Sequence, residues 1–386
     1  MAGTRSKGLK VGFVLDDGLD NPDGVQQYIL AVGDWLRSKG HQVSYLVGQT
    51  SREDIPGVHS MSRNVRVRFN GNQGGTMPLP ASTRKIRQVL EAGRFDVLHV
   101  QVPYSPFMGS KVIMNADGRT AVIGTFHIAP NNRLVALGNR ALGIRLKKSL
   151  RRIDTMLSVS QAAADFASDT FRVDSTISPN VIDYGRFHAA KPLKEYDDER
   201  LTILFLGRLV PRKGCLQLLK AVNLLADRGD LPGFRVIICG TGPLENHLRR
   251  YITEHRLNGI VEMAGFVTEE DKPRYYASAD ISVFPSTGGE SFGIVLLEAM
   301  ASGRSAILAG DNEGYRSVLV SRPELLVDAD DARGMAVSLA HYLQDGKFRR
   351  EVSRWGADFT RSFDVNVVGE RLVGIYEEAL HKRRNR

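Results

Sequence analysis

The sequence predicts two doubly wound α/β domains, and three observations carry that prediction. The chain has 386 residues, more than one ordinary domain holds. Short β-branched runs alternate with helical patterns in both halves, the mark of parallel sheets built from βαβ units. A charged, turn-like stretch over residues 184–200 reads as a linker between the two runs of alternation. Residues 1–185 are therefore expected to form one domain and 186–363 a second. Residues 364–386 are expected to form a helical tail packing back toward the first.

The elements follow in order. Residues 10–15 (KVGFVL) read as a buried opening strand, and 25–37 as an amphipathic helix closed by Gly40. Further strands are expected at 42–47, 97–100, 121–126 and 156–159. After the linker they resume at 201–206, 235–239, 261–263 and 281–284. In doubly wound domains ligands sit beyond the strand C-termini, so two such domains facing each other would share one cleft. Neither half carries a G-x-G-x-x-G fingerprint after its first strand, which argues against a bound dinucleotide.

Composition narrows the classes. Two cysteines, Cys215 and Cys239, cannot build a disulfide framework or a structural zinc site, which fits a reducing cytoplasmic setting. No stretch approaches the ~20 apolar residues of a spanning helix, so the chain is expected not to cross a membrane. The net charge of +9 is unevenly shared: residues 1–185 hold 23 Lys and Arg against 15 Asp and Glu, and residues 186–386 hold 29 against 28. A basic first half suits an anionic surface or substrate, and no nucleic-acid module accompanies it.

The strongest chemical signal is Gly288-Gly289-Glu290-Ser291-Phe292-Gly293-Ile294-Val295, with Glu298 shortly after. It follows a strand, so the glycines and the start of the next helix fall where backbone N–H groups can meet a diphosphate. Ser291 is expected as the N-cap, with Phe292, Gly293 and Ile294 in the first turn. Glu298 would accept ribose hydroxyls, and Glu290 would stand in the loop. Arg208 and Lys213, flanked by Gly207 and Gly214 after the strand 201–206, offer a bidentate fork and a point charge for phosphate.

These residues resemble the paired-glutamate motif of family-4 retaining glycosyltransferases, which have the GT-B architecture of two facing Rossmann-like domains and an interdomain cleft. The resemblance implies a nucleotide-sugar donor on the second domain and an acceptor on the first. It gives Arg208 and Lys213 the donor diphosphate, and His127 a place near the transferred sugar, where it supports positioning and charge stabilisation. Asn180-Val181-Ile182-Asp183 resembles the family's hinge, Gly240-Thr241-Gly242-Pro243 its nucleotide-side loop, and Gly265-Phe266-Val267 the wall of its base pocket. Gly24 keeps the second of the family's two first-loop glycines, whereas Asp23 replaces the first.

Within the family the chain is most similar to phosphatidylinositol mannosyltransferases, through Gly24-Val25-Gln26, Asn70-Gly71, residues 82–87 and 95–100, and Phe126-His127. That likeness implies acceptor-side roles for Gln26 and Asn70, and contact of Arg84, Lys85 and Arg87 with anionic headgroups. In the residues themselves, Ile86, Val89 and Leu90 give the same helix an apolar side, as an interfacial helix requires.

The expectation is thus a retaining transferase moving mannose from GDP-mannose onto phosphatidylinositol, peripheral on the cytoplasmic face of the membrane. No tightly bound cofactor is implied, and a Mg2+ requirement stays open because no compact ligand cluster stands out. Three alternatives remain at this stage: another nucleotide sugar with a soluble acceptor, a 2-epimerase of the same fold, and a non-enzymatic binder.

Overall fold

The computed structural model describes residues 8–20, 23–69, 72–127 and 133–385. It divides into two compact units, Met1–Val181 with Val365–Arg386, and Ile182–Asp364.

In the first unit the strands are β1 (Lys10–Leu15), β2 (Gln42–Val47), β3 (Val58–Ser60), β4 (Asn64–Phe69), β5 (Asn72–Pro78), β6 (Val97–Gln101), β7 (Ala121–Phe126), β8 (Thr155–Ser158) and β9 (Thr176–Ile177). The helices are α1 (Gly24–Ser38), α2 (Thr83–Gly93), α3 (Gly109–Asn115), α4 (Arg133–Arg152) and α5 (Gln161–Phe166). Among the described residues the main sheet runs β3-β2-β1-β6-β7-β8-β9, all parallel, while β4 and β5 form a separate antiparallel hairpin. The strand order reverses between β1 and β6, the place where doubly wound sheets bind ligands.

The second unit holds β10 (Leu201–Leu206), β11 (Phe234–Cys239), β12 (Val261–Gly265), β13 (Ile281–Phe284), β14 (Ala306–Gly310) and β15 (Leu326–Val327). Its helices are α6 (Tyr184–His188), α7 (Cys215–Leu225), α8 (Glu245–Glu254), α9 (Lys272–Ser278), α10 (Ile294–Ala301), α11 (Glu313–Val318), α12 (Ala332–Gln344) and α13 (Gly346–Thr360). The parallel order β12-β11-β10-β13-β14-β15 reverses between β10 and β13. The central strands β10, β11, β13 and β14 are buried on both faces, which is why they read as continuous apolar runs rather than alternating ones.

The last helix, α14 (Val365–Arg384), belongs to the first unit. Val368, Leu372, Tyr376, Ala379 and Leu380 enter the core formed by α1 and the sheet. Burial of each large side chain contributes roughly 1.5–3 kcal/mol. Tyr376 hydroxyl meets His99 Nδ1 at 2.8 Å in the sheet, Trp35 Nε1 donates to Asn366 Oδ1 at 3.0 Å, and Arg383 pairs with Asp154 at 2.7 Å.

One expectation fails. Residues 184–200 are not a loose linker: Tyr184, Phe187, Leu193 and Tyr196 are buried in the second unit. Phe187 packs on Tyr276, and Tyr196 hydroxyl donates to Glu262 at 2.8 Å. The charges are the solvent side of this segment, and its spaced apolar residues anchor the other side.

Candidate active site

In the second unit the loops after β10 and β13 flank the reversal of strand order. The β10 loop carries Arg208, Arg212 and Lys213 and ends at Gly214, which starts α7 with φ +73°. A Cβ there would lie 1.8 Å from Pro285 O, so only glycine lets the two loops touch. Thr287 N–H donates to Arg212 O at 2.9 Å, and Asn312 Nδ2 donates to Ser286 O at 3.0 Å. The two loops are therefore held in register by backbone contacts.

Glu290 is the convergence point. Its Oε1 lies 2.7 Å from Arg212 Nη1 and 2.8 Å from Lys213 Nζ, and it accepts a hydrogen bond from Ser286 Oγ at 2.8 Å. Burial acts to raise the carboxyl pKa, but Lys213, Arg212 and Ser286 outweigh it and hold it below the ordinary 4.5. Burial also lowers the Lys213 pKa; Glu290 opposes that, while Arg212 and Arg208 add to it. Two cations thus share one carboxylate while Arg208 adds to the charge around Lys213, an excess of positive charge that suits an anion with more than one charge.

The following helix corrects the cap assignment. It begins at Ile294, its N-cap is Gly293 with φ +97°, and Ser291 is not the cap. A Cβ on Gly293 would lie 2.7 Å from the Tyr315 ring, so close packing of α11 fixes glycine at this turn. Phe292 precedes the cap and is buried, and Ile294 and Val295 open the helix.

Glu298, one turn further, is 3% exposed and its oxygens are occupied. Oε1 lies 3.0 Å from Lys272 Nζ, and Oε2 accepts from Tyr276 hydroxyl at 3.3 Å. Lys272 also pairs with Glu269 at 2.7 Å. Burial alone would lower the Lys272 pKa, yet Glu298 and Glu269 hold it above the ordinary value. Gly240 closes β11 and its N–H donates to Gly265 O at 2.6 Å.

In the first unit Gly24 starts α1 and Gln26 is buried on that helix, its Nε2 donating to Gly18 O at 3.2 Å. His127 follows β7, is 4% exposed, and shares a hydrogen bond between Nε2 and Gln101 Oε1 at 2.6 Å. Gln101 Nε2 donates to His99 O at 3.3 Å, which fixes the amide so that its oxygen faces the imidazole. Nε2 of His127 is therefore the donor, and Nδ1 is the acceptor nitrogen. Burial pushes the His127 pKa down to about 3. The ring is held neutral by burial and offers hydrogen bonding at Nδ1. Beside it, at the end of β6, Val102 takes φ +53°, an outlier for a β-branched residue at the strand reversal.

The basic helix α2 is also present, with one correction. Arg84, Lys85 and Arg87 are exposed, but Ile86 is fully buried and Val89 and Leu90 pack on the first unit's own core. The apolar side is thus occupied within the protein, and the helix presents charge rather than an insertion face. Lys85 Nζ donates to Ser60 O at 2.5 Å and Arg87 Nε to Asn115 Oδ1 at 2.8 Å. Asn70 lies outside the described residues. Among the described residues, no three His, Cys, Asp or Glu side chains group as metal ligands, and no helix is long and apolar enough to cross a membrane.

Residues 22–186 match the family described as Glycosyltransferase Family 4, and residues 189–358 match Glycosyl transferases group 1. The phosphatidyl-myo-inositol mannosyltransferase of Mycolicibacterium smegmatis is 32% identical over 372 residues, covering 96% of this chain and 94% of that enzyme. This chain belongs to that mannosyltransferase family. A Mycobacterium tuberculosis enzyme of the same description is 30% identical over 96% of this chain and 97% of its own length. The solved glycosyltransferase from Rickettsia africae matches with a TM-score of 0.73 at 16% identity, over 96% of this chain and 99% of that one. The fold is GT-B, and the protein is a glycosyltransferase that uses a nucleotide-sugar donor.

Sequence reasoning missed the residues that hold the glutamates. Arg212 stands beside Lys213 in the sequence and could have been found by charge alone. Ser286, Lys272, Tyr276 and Gln101 carried no motif, because only the fold brings them to their partners.

Proposed function

We propose that the protein is a retaining mannosyltransferase that moves mannose from GDP-mannose onto phosphatidylinositol at the cytoplasmic face of an anionic membrane. One observation carries the reading: Arg212 and Lys213 meet a single carboxylate, Glu290, at the strand reversal of the second unit, with Arg208 adding positive charge around Lys213. The likeness to phosphatidyl-myo-inositol mannosyltransferases over nearly the whole chain supplies the substrate class.

In this reading the first unit binds the acceptor and the second the donor. Breaking the glycosidic bond leaves both bonding electrons on the diphosphate oxygen. Arg208 and Lys213 neutralise the charge that grows there, aided by the backbone of Gly24, Gly240 and the Phe292–Val295 turn. Glu290, kept ionised by its cations, steadies the sugar as positive charge develops at the anomeric carbon. The acceptor hydroxyl attacks from the face the diphosphate leaves, and a departing phosphate oxygen takes its proton. His127 presents its neutral Nδ1 to a sugar or acceptor hydroxyl, Gln26 and Asn70 position the acceptor, and Glu298 contacts the ribose. Arg84, Lys85 and Arg87 hold the protein on anionic lipid by charge.

A panel of nucleotide sugars assayed against a crude lipid extract, with products identified by mass spectrometry, tests this. A hexose-phosphatidylinositol product with GDP-mannose supports it. Transfer only to soluble polyols, or an epimerised sugar with no acceptor product, would exclude it.

A further inference from the structure

Within the second unit a cavity of about 680 Å³ opens at the edge of the sheet opposite the Glu290 loops. Arg200, Asp280 and Arg304, which line it, stand just before β10, β13 and β14. The loops carrying Arg212 and Glu290 leave the other ends of β10 and β13, so in a parallel sheet the two sites are at opposite edges. One face of α13 forms a wall, with Gly346, Arg350, Ser353 and Ala357 recurring every three or four residues.

The lining is unevenly charged, with six arginines against four aspartates. Most of the aspartates are engaged by the protein itself. Asp198 pairs with Arg200 at 3.0 Å and also with Arg235, Asp358 pairs with Arg361 at 3.6 Å, and Asp280 Oδ2 accepts from Thr202 N–H at 2.8 Å. Arg304, Arg350 and Arg354 make no side-chain hydrogen bond or ion pair among the described residues. A second observation points the same way. Ser353 lines the cavity, is 5% exposed, and its hydroxyl has no hydrogen-bond partner. Buried polar groups are ordinarily paired, so an orphaned one beside unpaired guanidinium groups marks a place for a missing acceptor.

We infer that this cavity binds a phosphate-bearing small molecule, held by Arg304, Arg350 and Arg354 with the Ser353 hydroxyl donating. Guanidinium forks match phosphate oxygens and form charge-assisted bonds to them. The volume falls in the range of small-molecule sites, on the order of 300–1,000 Å³, which exceeds what a lone phosphate needs. A soluble phosphorylated metabolite and the headgroup of an anionic lipid share this chemistry.

Calorimetric titration with inorganic pyrophosphate, beside sedimentation with phosphatidylcholine vesicles containing phosphatidic acid, tests the site in the full chain. The variants are Arg304→Ser/Arg350→Ser/Arg354→Ser and, separately, Ser353→Ala, with melting curves confirming the fold. Wild type is expected to take up two equivalents of pyrophosphate, one at the donor cations and one here. The triple variant is expected to keep the first and weaken the second about tenfold or more, with Ser353→Ala intermediate. Loss of vesicle binding alone in the triple variant assigns the site to a lipid headgroup. Equal pyrophosphate stoichiometry and equal sedimentation in wild type and variants overturn the inference.

Discussion

Lys213 Nζ stands 2.8 Å from Glu290 Oε1, with Arg212 on the same oxygen, so the cations of the donor loop are already turned toward a carboxylate. A diphosphate entering this loop competes with Glu290 for the same donors. Glu290→Gln is therefore expected to lower turnover strongly while tightening GDP binding about fivefold, equivalent to ~1 kcal/mol. Lys213→Ala and Arg208→Ala are expected to weaken GDP binding without unfolding the chain. Calorimetry together with single-turnover rates checks both; weaker GDP binding in Glu290→Gln would show that the carboxylate helps rather than competes.

The same pair sets a pH response. The folded pKa of Glu290 lies below its ordinary 4.5, so the ion pair stabilises fully above that value and its contribution is lost as pH falls through the folded pKa. His99 and His127 act at higher pH. Burial lowers both to about 3 from an ordinary 6.5, so the unfolded chain takes up protons first. Their contribution is present above pH 6.5 and erodes as pH falls toward 3. NMR titration should show neither imidazole charging above pH 5, and His99→Gln should flatten the decline in melting temperature below pH 6.5. A His127 titration near neutrality would contradict the buried, neutral assignment.

Lys272 and Glu298 form a buried pair whose partners need each other. Removing Lys272 leaves Glu298 as an uncompensated buried charge, at a cost of about 3–5 kcal/mol, whereas Lys272 keeps Glu269 when Glu298 is removed. Lys272→Met should destabilise the chain by that order, and Lys272→Met/Glu298→Gln should recover much of it. Denaturant midpoints for the two single variants and the double variant measure this. Full additivity would mean the two side chains do not interact. Glu298→Gln should also weaken GDP binding with little effect on the chemical step, because a ribose contact is equal in ground and transition states.

Nine parallel strands and the glutamate loop were legible in the sequence, because buried strands and glycine-rich turns leave local patterns, whereas β14, the short strands β3, β9 and β15 and the β4–β5 hairpin were not read. The anchoring of residues 184–200 was not, since Tyr184 and Tyr196 find their partners only in the folded sheet and helices. Ser291 misled for a physical reason: a serine before a helix usually caps it, but the Tyr315 ring forces the turn onto Gly293. The α2 pattern was read correctly as amphipathic, yet sequence cannot say whether an apolar face meets lipid or the protein's own core.

That distinction shapes the membrane prediction. With Ile86 buried and Val89 and Leu90 partly buried against the core, α2 is expected to bind anionic vesicles by charge alone. Each basic residue contributes on the order of 1 kcal/mol, so changing Arg84, Lys85 and Arg87 to serine should weaken vesicle binding more than about a hundredfold at low salt. Wild-type binding should also vanish near 1 M salt, where the Debye length is about 3 Å. Salt-resistant sedimentation would instead mean that an apolar segment inserts.

In the proposed reaction mannose passes with retention from GDP-mannose to the inositol of phosphatidylinositol. Purified protein with GDP-mannose and phosphatidylinositol vesicles, followed by NMR of the extracted lipid, tests it most directly. An α-linked mannosyl-inositol product is expected, abolished in the Lys213→Ala variant. A β-linked product, or an untouched lipid while mannose appears on a soluble acceptor, would contradict it.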